Sequence, residues 1–404
     1  MVAIHPVVVA LVNAEWIDSV PAPAYDALSV ADRQAFRLAH PLSYLNVTRA
    51  PEDEPDSTTV TNDELIARGR VTLDRLLAEG AFDFVDTPRF FLYRLIDGDH
   101  KQTALVCDVP VEAYERAEIR IHEQIRAVRA ELLAEHLVGV GHSSSPIALT
   151  VRSSDHLSAL YATAREATPV IDFVAPDGLQ QTVWTIDDDA LAANLIEALA
   201  DSEAIIIDGH HRAAAAQVVA AKTGGAGATG RMLAAIFLDV DLRMGSFHRW
   251  VPDVSGDAAA AVVAELKNRY EVVDEAGSFL PERGELGVCV ADGWYRVRLA
   301  ASVDPSDPHE RLSSLDPVVL QRDILAALMG IDDPGSDPRL RNLADISVDA
   351  LNDVVEADGG IAFAVAPLQM DDLLVVAGAG LTMPPKSTYF TPKVRSGLFL
   401  RPQA

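Results

Sequence analysis

Residues 204–217 read AIIIDGHHRAAAAQ, and this junction restricts the fold more than any other stretch. Ala204–Ile207 is short, uncharged and mostly β-branched, the composition of a buried strand. From Arg212 to Lys222 the best helix formers dominate, so a helix follows. Gly209 marks the break between them. A strand that turns directly into a helix predicts an α/β (α+β) architecture. It also leaves backbone N–H groups at the helix start, where an anion, most often a phosphate, can sit.

The side chains at the junction sharpen this. Asp208 stands at the strand end, where a carboxylate can face a ligand or a metal. Arg212 falls in the first helical turn, the wrong end of the helix dipole for a cation. It fits there if an anion is bound beside it; the alternative is that Asp208 caps the helix and Arg212 pairs with a surface acid. His210 and His211 diverge on a helix start and have no His-x₃-His or Cys-x-x-Cys partners, so a structural zinc site is not expected.

The chain of 404 residues has room for two or three domains, and 49% of it is apolar, enough for a large core. Its formal net charge of −27 argues against nucleic acid or an anionic membrane as main partner, since both attract basic surfaces. Cys107 and Cys289 read as buried, reduced thiols. The apolar run Val7–Val12 is too short to span a bilayer, lacks a basic flank and meets Glu15 and Asp18. Neither a membrane span nor a signal peptide is expected, and a cytoplasmic protein follows.

An acidic, proline-bearing loop at 51–63 is expected to end with Asn62 capping a helix over 64–79. Runs 89–96 and 102–111 read as strands around a turn, and the second half of 116–137 as a helix. Helices at 155–167 and 187–200 flank strands in 168–186, and 231–240 is another strand. The glycine-rich stretch at 223–230 follows a helix and lacks a Gly-Lys-Ser/Thr ending, so it reads as a linker. A second rhythm starts near 255: helix 257–269, strands in 287–300, helices 316–328 and 348–358, then a strand and a helix before the tail. Two parts follow, 1–250 with a core at about 105–250, and 251–404.

Two further stretches carry chemistry. In "IHEQIRAVR" at 121–129, His122 and Glu123 precede a helix, and a carboxylate beside a histidine can act as general base. A zinc-protease pattern is excluded because Arg126 stands where the second histidine would be. From Leu373 to the end there is no Asp or Glu, yet Lys386, Lys393, Arg395 and Arg401 occur there. "MPPKSTYF" adds stiffening prolines and the hydroxyls of Ser387 and Thr388. Such a loop suits an anion; the alternative is a terminal strand pairing with an acidic surface. Its apolar residues predict that it docks beside the Asp208–Arg212 turn, with Lys386 facing the same anion as Arg212.

The segments "PAPAYDALS", "IDGHHRAAAA", "SLDPVVLQRDIL" and "MPPKSTYFTPKVRSGLFL", in this order over nearly the whole chain, resemble the domain-of-unknown-function 1015 family. The middle of that family is similar to the free serine kinases, which share a ParB/sulfiredoxin-like fold. Their His-Glu-x₅-Arg element matches His122, Glu123 and Arg129, and their Asp-Gly-x-His-Arg element matches Asp208, Gly209, His211 and Arg212, with His210 as x. The resemblance implies a ParB/sulfiredoxin-like nucleotide-binding core with an N-terminal addition and a C-terminal α/β domain. It implies Glu123 as base, with Asp208 and His211 in the catalytic set. Gly209, His210, Arg212 and Arg129 would lie at the phosphates of ATP or ADP, and Asp208 would work with Mg²⁺. His122, Lys386, Ser387, Thr388 and Lys393 are candidates for substrate or anion binding. The chain departs from the family's usual Pro-Pro-Tyr-Asp-Val-Ile at Pro23–Leu28, and a Gly-Pro-Lys after the His-Glu element is absent.

The expected function is a nucleotide-dependent kinase acting on a hydroxyl of serine or a related small metabolite, with a homodimer as the candidate assembly. The competing reading is a non-catalytic nucleotide-binding or regulatory protein of ParB-like type.

Overall fold

The computed structural model describes residues 2–54, 60–85, 87–299, 304 and 306–403; residues 55–59 of the expected acidic loop lie outside them. The chain divides into two compact units. One comprises 1–121, 125–242 and 392–404; the other comprises 122–124 and 243–391. The sequence reading places one boundary at 250, whereas the contacts interleave the units and return the last thirteen residues to the first. The physical reason is a set of ion pairs and strand contacts made by the tail.

The first unit is built on an eight-stranded mixed sheet. Its order is Ile119–Arg120, Ala204–Asp208, Ile147–Val151, Arg231–Leu238, His100–Pro110, Phe90–Asp97, Gln180–Ile186 and Ile171–Val174. Ala204–Asp208 is buried throughout, which explains its unbroken apolar run. Leu92, Leu105, Leu149, Ile206 and Ile236 form one core with the helices Asp155–Ala164 and Asp189–Ala200. The helices Ala127–Val140 and His210–Thr223 meet through Ala134, Ala215 and Val219; small residues let them approach closely. The expected strands and helices of this unit are present, with ends shifted by a few residues. The glycine-rich 223–230 is a connector, with Gly224 left-handed at the helix end.

The helix expected over 64–79 runs Asn62–Ala78, and Thr61 rather than Asn62 caps it. Glu64 N donates to the Thr61 hydroxyl at 3.3 Å, and Thr61 N donates to Glu64 Oε2 at 2.9 Å. This reciprocal box satisfies two donors at once, while the Asn62 amide turns to Glu135.

A smaller sheet of order Phe82–Phe84, Ala10–Val12, Phe399–Pro402, His142–Ser143 joins the two ends of the chain. Arg401 in its terminal strand donates to both carboxylate oxygens of Asp108 in the main sheet, at 2.6 and 3.1 Å.

The second unit carries a six-stranded antiparallel sheet: Glu271–Glu275, Gly293–Arg298, Glu285–Val290, Ile361–Val365, Phe247–Val251 and Arg341–Ala344. Ile361, Phe363 and Val365 face one core with the helix Gly256–Arg269. Ala362 and Ala364 face another with the helix Val348–Asp358. The period of two explains why this strand is apolar on every residue. The helix expected at 316–328 is wound as a π-helix over Leu320–Ala326. Both cysteines are free and buried. Among the described residues no helix is long and apolar enough to cross a membrane.

Asp53 is wholly buried and binds Arg33 at 2.7 Å and Arg37 at 2.9 Å. Breaking a buried ion pair costs about 3–5 kcal/mol. Asp53→Ala should therefore lower the unfolding free energy by that order, measured by chemical denaturation, while Asp63→Ala on the exposed first turn of the helix should change it little.

Candidate functional site

The site of the first unit starts at the end of the strand Ala204–Asp208. Its pairing with Ile147–Val151 shifts register between Ile206 and Asp208. Such an irregularity re-aims a side chain, here the Asp208 carboxylate. Gly209 follows with φ 92°, a conformation only glycine adopts without strain. A Cβ there would lie 2.8 Å from Arg212 Nε, so glycine also makes room for the arginine. The helix His210–Thr223 then begins, with Gly209 O accepting from Arg212 N and Ala213 N. It starts two residues earlier than the composition suggests, because the two histidines take the first turn.

Asp208 is compensated on both oxygens. Arg212 Nη2 donates to Oδ2, and Arg212 Nη1 donates to Pro146 O. Lys393 Nζ donates to Oδ1 and lies 2.8 Å from Asp26 Oδ2. Burial raises the Asp208 carboxyl, but Lys393 and Arg212 outweigh it and hold it down at about 2. Burial works against the Lys393 ammonium too, yet Asp208 and Asp26 keep its pKa above the ordinary value. Both groups are charged at neutral pH.

Arg212 also lines a cavity of about 120 Å³ within this unit. Leu133, Leu137, Ala215 and Ala216 give it apolar walls; Tyr44, Ser143, Ser144, His136, His142 and Arg231 give it polar ends. Burial lowers the pKa of both His136 and His142, so these rings are neutral acceptors or donors near pH 7. Among the described residues no carboxylate lines this cavity, in a chain with 60 acidic and 33 basic residues.

The other sequence candidates divide between the units. His210 is buried, and the His211 ring accepts from Arg126 N at 3.2 Å, tying the helix start to the loop before Ala127. Arg129 is exposed on the first turn of that next helix. His122 and Glu123 belong to the second unit, as do Lys386, Ser387 and Thr388. There His122 is buried, with Nε2 2.8 Å from the Thr388 hydroxyl, so the structure joins two candidates 266 residues apart. Ser387 donates to Pro384 O. Lys386 is left-handed, φ 62°, with its ammonium 5.6 Å from the Phe247 ring centre. Of the tail lysines it is Lys393 that reaches Asp208.

Asp26 and the cavity residues Tyr44, His136, His142 and Arg231 were not singled out from sequence as site residues. Asp26 had a signal, the Tyr25-Asp26 of the first motif segment; the others are scattered singly and had none.

A Mg²⁺ ion on Asp208 does not fit the residues as they stand. Both its oxygens already face cations, and among the described residues no group of three or more His, Cys, Asp and Glu is placed to hold a metal.

The Asp208 shift predicts a pH effect of definite sign. A lowered folded pKa contributes stability above the unfolded carboxylate value of about 3.9. That contribution is lost as pH falls toward about 2. The stability gap between wild type and Asp208→Asn, followed by chemical unfolding, should be wide at neutral pH and close below about pH 4.

A family model described as "Protein of unknown function (DUF1015)" matches residues 5–319. Among solved structures, one of a free serine kinase in complex with AMP aligns at 15% identity and a TM-score of 0.35, covering 72% of this chain and 92% of that one. SbnI with a C-terminal truncation, from Staphylococcus aureus, aligns at 13% and 0.39, covering 72% and 85%. A conserved hypothetical protein from Pyrococcus furiosus aligns at 14% and 0.34, covering 72% and 95%. No curated protein matches the sequence.

Proposed function

The chain belongs to the domain-of-unknown-function 1015 family, and within it we propose a nucleotide-dependent phosphotransferase acting on a small hydroxyl-bearing metabolite, serine or a relative of it. The reading includes a ParB/sulfiredoxin-like core in the first unit. The observation that carries it is the cavity whose described lining has two arginines and no carboxylate, one of them Arg212 in the first turn of a helix entered through left-handed Gly209. In so acidic a chain, a concave surface without acids selects an anion. Arginine guanidinium groups and helix-start N–H groups are the usual holders of phosphate. At about 120 Å³ the cavity is smaller than the roughly 300–1,000 Å³ that encloses a drug-sized ligand. It would take a ring or a small metabolite, with the phosphates of ATP or ADP outside it at Gly209–Arg212.

Phosphoryl transfer needs little beyond positioning and charge neutralisation. The acceptor hydroxyl loses its proton to a carboxylate, its oxygen bonds to the terminal phosphorus, and the bond from that phosphorus to the shortened nucleotide breaks. The His-Glu-x₅-Arg resemblance gives the base to Glu123; that part rests on the motif alone. A binding role without chemistry is favoured by one observation, the engagement of both Asp208 oxygens by cations.

Calorimetry with ADP and ATP, together with a panel of hydroxyl metabolites read by mass spectrometry, tests the proposal. Arg212→Ala should weaken nucleotide binding about tenfold or more, the worth of a charge-assisted hydrogen bond. Arg231→Ala, at an exposed position, should weaken it as well. Glu123→Gln should keep the affinity and lose about 10²–10⁴ in turnover. Unchanged affinity in both arginine variants would remove the phosphate reading; binding without transfer to any acceptor would leave the regulatory one.

A further inference from the structure

Asp26 and Asp208 share a single ammonium. Lys393 Nζ is bonded to both, and its side chain and that of Asp208 are each 10% exposed. Two carboxylates around one cation, next to a place for phosphate, is the arrangement that usually surrounds Mg²⁺, whose shell is completed by water and phosphate oxygens. Here the chain fills the position itself.

The backbone around Lys393 is fixed well enough to place the ammonium. Pro392 O accepts from the buried Gln102 amide at 2.8 Å. Two residues beyond Lys393, the buried Arg395 side chain is paired with Asp177. Ala22 and Ser396 exchange backbone hydrogen bonds at 2.9 and 3.2 Å, which carries the Asp26 segment alongside the Lys393 segment. The other Asp208 oxygen takes Arg212. A divalent ion arriving at Asp208 would meet two positive groups at contact distance and would have to expel one from a buried pair.

We infer that Lys393 is the resident cation of this site. Its ammonium stands between Asp26 and Asp208 where a divalent ion would stand, and with Arg212 it meets the ligand's phosphate without a metal held by Asp208. This rests on the phosphate-holding reading of the turn.

The test uses the full chain and Mn²⁺ alone, with the free ion counted by electron paramagnetic resonance. Wild type should hold no ion that Asp26→Asn or Asp208→Asn removes. Lys393→Met should bind Mn²⁺ about tenfold tighter or more than wild type, since a site's affinity follows the charge its ligands present. Adding Asp26→Asn to Lys393→Met should abolish that gain. A wild-type ion that Asp26→Asn removes would overturn the inference, and so would a folded Lys393→Met that gains none. If Lys393→Met fails to fold by circular dichroism, wild type against Asp26→Asn decides. Asp26 is 46% exposed in its side chain, and the change keeps its shape. ADP calorimetry in chelator is run separately. Absence of ADP binding would count against the phosphate reading, while the Mn²⁺ titration, which contains no nucleotide, still decides what Lys393 does.

Discussion

A carboxylate at the end of a fully buried strand has to find cations, and the pairing of Asp208 with Lys393 organises much of the first unit around that need. Arg212 comes from one helical turn further on. Lys393 comes from 185 residues away and brings the tail with it. The same logic repeats along the tail, where Arg395 answers Asp177 and Arg401 answers the buried Asp108. Removing one partner of such a buried pair leaves an uncompensated charge, which is why these pairs are hard to break even where their net contribution is small. The tail therefore has to return to the first unit. Its last strand then completes the small sheet with Ala10–Val12.

This accounts for the composition of the last thirty residues. A stretch without Asp or Glu in a chain of net charge −27 reads from sequence as either a ligand-binding loop or a strand against an acidic surface. Lys393, Arg395 and Arg401 are counterions of aspartates in their own unit. Lys386 is different: it sits left-handed in the second unit over the Phe247 ring.

Most elements were legible because burial writes itself into local patterns. Ala204–Ile207 and Ile361–Val365 are apolar without a break since both faces of each strand are covered. The strand Glu271–Glu275 was missed, because its sequence, EVVDE, is mostly acidic and its residues are largely exposed. The π-helical turn at Leu320–Ala326 keeps a helical composition, so nothing local distinguishes it. Charge pairing is the least legible of all. The sequence places Lys386 beside Arg212, whereas the lysine that reaches Asp208 and Asp26 is Lys393, seven positions further on, and the backbone fixed at Pro392 is what selects it. The cavity was invisible because its lining comes from six separate segments of the chain, most of its residues of ordinary type.

Arg212 joins the two halves of the site. One of its nitrogens holds Asp208, another holds Pro146 O, and the side chain forms part of the cavity wall. An anion entering the cavity competes with Asp208 for this guanidinium. Whatever it draws away must be made up at the other carboxylate oxygen, or a charge is left buried and unpaired. Lys393 is placed to do so, because it holds Oδ1 and a second carboxylate, Asp26, that is half exposed and can be solvated when released. A site arranged in this way can exchange partners on its surface side while the buried carboxylate stays paired throughout. A residue tethered at Pro392 and Arg395 performs that service without having to be recruited from solution.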